Sequence, residues 1–155
     1  MKPSDHPIDL LRRRGLLADV TNESALRDRF AAGPVTFYVG FDPTAPSLHV
    51  GNLVGMMAMS WLQRLGHRAI AIAGGATGRV GDPSGRDAER ELLDEDQLQR
   101  NLSGIRHQLG QVVDLTDPAH GLLLDNHAWL GEMGFLEFLR DVGKHFSVNQ
   151  MIQRD

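Results

Sequence analysis

The chain has 155 residues, a formal net charge of −4 and a hydrophobic share of 41%. That suits one globular domain with a real core and argues against a nucleic-acid footprint spread over the whole surface. It has no cysteine, which excludes disulfides, thiolate metal sites and cysteine nucleophiles and fits a cytoplasmic protein. No apolar run is long enough to span a membrane, and MKPSDHPIDLLRRRG at the start lacks the apolar core of a signal peptide.

Residues 1–33 read as an amino-terminal helical segment. Ile8 to Arg14 form a short helix stopped by Gly15, with the basic run Arg12-Arg13-Arg14 at its dipole-favoured end. Thr21 to Ala32 form a second, capped by Thr21 or Asn22 and stopped by Gly33-Pro34. Residues 34–155 then change character. Val35 to Phe41 (VTFYVGF) is β-branched and aromatic, as in a strand. Val50, Leu53, Val54, Met57, Trp61, Leu62 and Leu65 recur at helical steps, a buried face ended by Gly66; the methionines there are core, not a cofactor box.

Ala69 to Ala73 (AIAIA) is the continuous apolar run expected of a strand covered on both faces. A glycine-rich loop follows, Gly74 to Gly85. Asp94 with Gln97 is a capping box that opens a helix to about Leu109, with Gly110 beyond it. Leu122 to Leu124 is a third strand, and Trp129 to Val142 a helix with Gly143 at its exit. This alternation predicts an α/β fold, a Rossmann-like doubly wound parallel sheet with flanking helices. Ser147 with Gln150 is a second capping box, yet the sequence stops about two turns later. It reads as the amino-terminal part of a longer protein.

In such a sheet, ligands sit beyond the carboxyl ends of the strands. Three strand ends carry polar or glycine-rich loops: Gly40 to Asn52, Gly74 to Gly85, and Asp125-Asn126. The first, within YVGFDPTAPSLHVGN, runs from a strand through a proline-rich turn to a helix start, where unpaired N–H groups favour phosphate. The bland alternative is a βα connection whose polar residues merely cap and turn. The glycine loop is neither G-x-x-x-x-G-K-[ST] nor G-x-G-x-x-G, so neither a Walker-type triphosphatase nor a nicotinamide dehydrogenase is supported. Its glycines suit close approach of a ligand to backbone, with Asp82 among them. His49 and Asn52, three apart at a helix start, can face one ligand as neutral donors to a phosphate transition state. The other histidines lack metal-ligand spacing, and no metal site is expected.

FYVGFDPTAPSLHVGN, then GGATGRVGDPSG and RDVGKHFSVN, resemble the amino-terminal half of the catalytic domain of bacterial tyrosyl-tRNA synthetase. His49-Val50-Gly51-Asn52 matches the His-Ile-Gly-His signature of class I aminoacyl-tRNA synthetases, with Asn52 in place of the second histidine. The resemblance implies ATP-dependent activation of L-tyrosine to tyrosyl-adenylate, with magnesium accompanying ATP, and transfer to tRNA(Tyr) by a homodimer. It implies that Tyr38 hydrogen-bonds the substrate phenol, Asp82 holds its ammonium and Asn126 lies at the edge of the tyrosine site. Gly40, Asp42 and Pro43 would line the adenylate, and Thr44 and His49 would contact departing pyrophosphate. Gly51 would admit adenine against the backbone, Asn52 would reach the ribose, and Arg86 and Arg90 would neutralise pyrophosphate from a loop.

The family's Lys-Met-Ser-Lys-type loop, its further tyrosine-binding residues and its tRNA-binding domain are expected downstream of Asp155. The 155 residues alone are therefore expected to be inactive. The alternative is a synthetase-derived module that binds a partner without catalysis.

Overall fold

A computed structural model describes residues 6–79 and 94–152. Its frame is a three-stranded parallel sheet in the order β1-β2-β3, formed by β1 (Thr36–Phe41), β2 (Arg68–Ala73) and β3 (Gly121–Asp125). Register sets Phe37, Val39 and Phe41 of β1 beside Ala69, Ala71 and Ala73 of β2. Large residues on the edge strand thus neighbour small ones on the central strand, which leaves room above the alanines for helices. Two crossover helices fill that room, α3 (Val50–Arg64) between β1 and β2, and α4 (Glu95–Gly110) between β2 and β3. Met56 and Met59 of α3 and Ile105 and Leu109 of α4 close over Phe41, Ala69 and Ala71, with Val113 at the margin. Each such side chain taken from water contributes roughly 1.5–3 kcal/mol.

The sequence leads one to expect β2 covered on both faces. The structure buries Ala69, Ala71 and Ala73 but leaves Ile70 and Ile72 half-buried. The reason is that α3 and α4 share one face; on the other, Tyr38, the register partner of Ile70, is 71% exposed.

The expected helix at Trp129 to Val142 is two short helices, α5 (His127–Leu130) and α6 (Phe135–Asp141). Gly131 and Gly134 interrupt it, and Gly134 caps α6 in an extended conformation with ψ 141°, where helix propensity is poor. Gly110 lies inside α4, as its last residue. A last helix, α7 (Val148–Ile152), starts where the Ser147 cap predicts. At the opposite end of the sheet from the polar loops, Gln63 of α3 donates to the carbonyls of Asp114 and His120 and accepts from Asp114 N–H, aligning the start of β3. Among the described residues no helix is long and apolar enough to cross a membrane.

The amino-terminal pair, α1 (Pro7–Arg13) and α2 (Glu23–Ala31), joins the domain through apolar burial of Ile8, Leu10 and Leu11. Arg27 bridges Asp9 and Glu23, and Glu23 also receives Arg12. These guanidiniums hold the Glu23 carboxyl down at about 2, Arg12 first and Arg27 second. Such exposed pairs orient the two helices more than they stabilise them.

The deeper contact is His67, whose Nδ1 accepts from Val35 N–H at 3.2 Å while its ring lies 4.7 Å from Phe30. His6 packs edge-on against the same phenyl ring. Burial, then the nearby Arg29 and His6, pushes the His67 pKa below its ordinary 6.5. A depressed histidine stabilises the fold above its unfolded pKa, and that contribution is lost as pH falls from 6.5 through the lower folded value. The melting temperature is therefore expected to fall between about pH 7 and about pH 5, with a shallower slope in His67→Asn, which retains an acceptor but cannot titrate. Equal slopes in both proteins would remove His67 from the acid response.

Candidate active site

Because all three strands run parallel, their carboxyl ends open on one rim. Backbone hydrogen bonds continue past the strands there: Gly74 N–H donates to Phe41 O and Asn126 N–H to Ala73 O, each at 3.0 Å. The described parts of the three loops named from the sequence, residues 74–79 of the glycine loop among them, are thereby brought side by side. Gly74 and Gly75 sit in a tight space. A β-carbon on Gly74 would lie 2.9 Å from Asp42 Oδ1, and one on Gly75 would lie 2.1 Å from Asp125 Oδ1. Glycine at these positions admits the carboxylates of the neighbouring strand ends against the loop backbone.

Asn126 is buried and works inside this junction. Its Oδ1 accepts from Ala76 N–H at 2.7 Å and its Nδ2 donates to Thr77 Oγ1 at 3.3 Å, so it ties the glycine loop to β3. Asp125 accepts from His127 N–H at the start of α5. A 3-10 turn (Thr77–Arg79) follows the glycines. Arg79 donates to Gly75 O at 2.8 Å and pairs with Glu95 in the first turn of α4 at 2.6 Å. The Arg79 guanidinium, and secondarily the Gln99 amide, holds the Glu95 carboxyl below the usual range.

At the start of α3, His49 and Asn52 cap the helix reciprocally. His49 Nδ1 accepts from Gly51 N–H at 3.0 Å, and Asn52 Oδ1 accepts from His49 N–H at 3.1 Å. A neutral His49 ring with Nδ1 accepting must carry its proton on Nε2, as an exposed donor. Asn52, its oxygen engaged, keeps its amide N–H groups to offer. Capping and donation are thus not rivals here: the cap sets the tautomer and aims both groups.

Pro43 is fully buried, whereas Asp42 and Thr44 on either side are exposed at the rim. Tyr38 and Gly40 lie on the open face of β1, two residues apart and therefore on the same side. Asp82, Arg86 and Arg90 lie outside the described residues. Among the described residues no three His, Asp or Glu side chains gather as metal ligands. Sequence reading missed Asn101, Gly104 and Gln108 of α4, which contact the 43–48 segment. A signal was available, since Asn101 falls among the apolar positions Leu98, Leu102 and Ile105 of one helix face.

A three-stranded parallel sheet with crossover helices, a polar, glycine-lined rim and a histidine-capped helix defines an α/β protein of the Rossmann-like class, and comparison narrows the class. The pattern of the family described as tRNA synthetases class I (W and Y) matches residues 31–155, and the chain belongs to that family.

Within it, tyrosine enzymes are among the near relatives. The chain is 56% identical to the tyrosine–tRNA ligase of Opitutus terrae over 151 residues, and 47% identical to that of Yersinia pestis over 153. Those alignments take in 96% and 98% of this chain but 35% and 36% of the relatives, so the chain spans about a third of their length. In three dimensions it is similar to a C-terminally truncated mitochondrial tyrosyl-tRNA synthetase of Aspergillus nidulans, with a TM-score of 0.84 at 31% identity. That match takes in 97% of this chain and 46% of the other.

The packing at Gly75 gives a direct check. Gly75→Ala must push Asp125 aside and is expected to lower stability by about 1–3 kcal/mol in chemical denaturation. A wild-type midpoint would show that the glycine loop does not press on the end of β3.

Proposed function

We propose that this chain supplies the rim on which a tyrosine–tRNA ligase binds ATP and tyrosine and forms tyrosyl-adenylate, which is then passed to tRNA(Tyr). The reciprocal cap of His49 and Asn52 beside the Asp42 and glycine loops carries this reading. Attack of the tyrosine carboxylate on the α-phosphate of MgATP shifts negative charge onto the leaving pyrophosphate. His49 Nε2–H and the Thr44 hydroxyl donate to those oxygens, and an N–H group of Asn52 donates to a ribose hydroxyl. Donors fixed before the reaction stabilise the transition state more than the ground state, because they need no reorganisation when charge develops.

Gly40, Asp42 and Pro43 line the adenylate, and Gly51 lets adenine lie against the α3 backbone. Tyr38 takes the phenol, Asp82 the ammonium, and Asn126 holds the edge of the tyrosine site. Arg86 and Arg90 neutralise pyrophosphate. The parent works as a homodimer in the cytoplasm. The 155 residues by themselves are expected to show no measurable turnover.

The test uses a chimera in which this chain is completed with the remaining sequence of its 56%-identical relative. His49→Ala is expected to slow tyrosine-dependent ATP–pyrophosphate exchange about a hundredfold with tyrosine affinity little changed, and Thr44→Ala to do the same more weakly. Tyr38→Phe is expected to erode the preference for tyrosine over phenylalanine by about tenfold. A His49→Ala chimera with normal turnover and weakened tyrosine binding would refute the role given to that histidine. Exchange that proceeds equally with any amino acid would sink the tyrosine assignment.

A further inference from the structure

The segment between Asp42 and His49 has no helix or strand of its own. Among the described residues, no backbone–backbone hydrogen bond involves residues 43–48. Its side chains Pro43 and Leu48 pack against the glycine loop and the core, while its main chain is met from outside by one stripe of α4. Asn101, Gly104 and Gln108 follow at steps of three and four and so share a helix face.

Each meets a different point of the segment. Asn101, 1% exposed, donates from Nδ2 to Pro43 O at 2.9 Å, and its Oδ1 accepts from Gln97 Nε2 at 2.8 Å, which fixes the orientation of the amide. At Gly104 a β-carbon would lie 2.0 Å from Pro46 O and 3.0 Å from its carbonyl carbon, so helix and turn touch backbone to backbone. Gln108 Oε1 accepts from Leu48 N–H at 2.7 Å, one residue before His49. Helix formation alone gives no reason for these residues. Asparagine and glycine are poorer helix formers than alanine, and a buried amide is costly unless paired.

We propose that the Asn101–Gly104–Gln108 face of α4 is a positioning template for the 43–48 segment. It fixes where Thr44 and His49 stand relative to the strand ends and so governs the rate of adenylate formation without touching substrate. The catalytic half of this statement rests on the tyrosine-activation reading. A small misplacement of a reacting or donating group can cost orders of magnitude in rate, so a scaffold that removes freedom from the main chain of a turn acts on turnover rather than on affinity.

Two measurements test it. In the 155-residue chain, Gln108→Leu removes the acceptor and Gln108→Glu keeps it. Amide exchange at Leu48 is expected to speed up about tenfold or more in Gln108→Leu, with β2 amides unchanged and Gln108→Glu near wild type. Gly104→Ala, a change that ordinarily favours a helix, is expected to loosen Leu48 while α4 stays protected. Wild-type exchange at Leu48 in both Gln108→Leu and Gly104→Ala overturns the template.

In the completed chimera, Gln108→Leu is expected to lower the exchange rate at saturating substrates about tenfold, with KM for tyrosine unchanged and Gln108→Glu restoring most of it. Full turnover of Gln108→Leu, where His49→Ala is slow, overturns the catalytic consequence. If His49→Ala is itself not slow, the role given to that histidine fails, and if exchange proceeds equally with any amino acid, the tyrosine-activation reading fails; in either case Leu48 exchange still decides the template.

Discussion

Parallel pairing is the constraint from which the rest of this structure follows. Strands that all run one way must be joined by crossovers, and the two crossovers here are α3 and α4. The same rule delivers every strand's carboxyl end to one rim, where ladder bonds from Gly74 and Asn126 lock the loops in step. A site assembled this way needs no long-range coincidence. Asp42, Gly74 and Asn126 are far apart in the chain but adjacent because β1, β2 and β3 are neighbours in register.

Polar groups at the rim are used twice. Asn126 satisfies two groups at the start of the glycine loop, at Ala76 and Thr77, and thereby ties it to the end of β3. His49 and Asn52 satisfy backbone groups at the α3 terminus that would otherwise be unpaired, and the same bonds determine which atoms they present outward. A histidine at a helix start is as readily a cap as a functional donor. In this structure the cap is what makes the donor, because engagement of Nδ1 leaves Nε2 as the only place for the proton of a neutral ring.

The legible parts of the sequence were those governed by local rules. The strand at VTFYVGF, the helix α3 and the caps at Asn22 and Asp94 follow from residue chemistry within a few positions, and the structure has them. The face expected to be buried on α3 is different: Val50, Leu53 and Val54 are exposed, and Met56, Met59, Ser60 and Leu62 are the residues that pack inward, because the first turn of α3 stands at the rim beyond the sheet. The break inside Trp129–Val142 was less legible because leucines and phenylalanines at helical spacing outweigh two glycines on paper. In the chain Gly131 and Gly134 still end one helix and start another. AIAIA looked buried on both sides because a run of apolar residues records neither which face its neighbours cover nor that both crossovers lie on one face. The candidates Tyr38, Gly40, Asp42 and His49 come from motif and turn chemistry. Of the α4 contacts only Asn101 leaves a trace in the sequence, as a polar residue within an apolar face. The approach of Gly104 and Gln108 to the turn is tertiary, and no spacing rule encodes it.

That difference separates the residues proposed to do chemistry from those proposed to place it. Asn101 and Gln108 carry no reactive group and match no motif, yet each meets a main-chain group of a segment that makes no backbone–backbone hydrogen bond among the described residues. A turn rich in proline has limited freedom about each φ, but it still needs fixed points to choose one path among those allowed. Gly104 supplies one by what it lacks, since any β-carbon there would occupy the space of Pro46 O. The exposed donors of the rim therefore inherit their positions from a buried helix face. The cost of placing an asparagine and a glycine in that face is the local inconsistency expected where a fold serves function as well as stability.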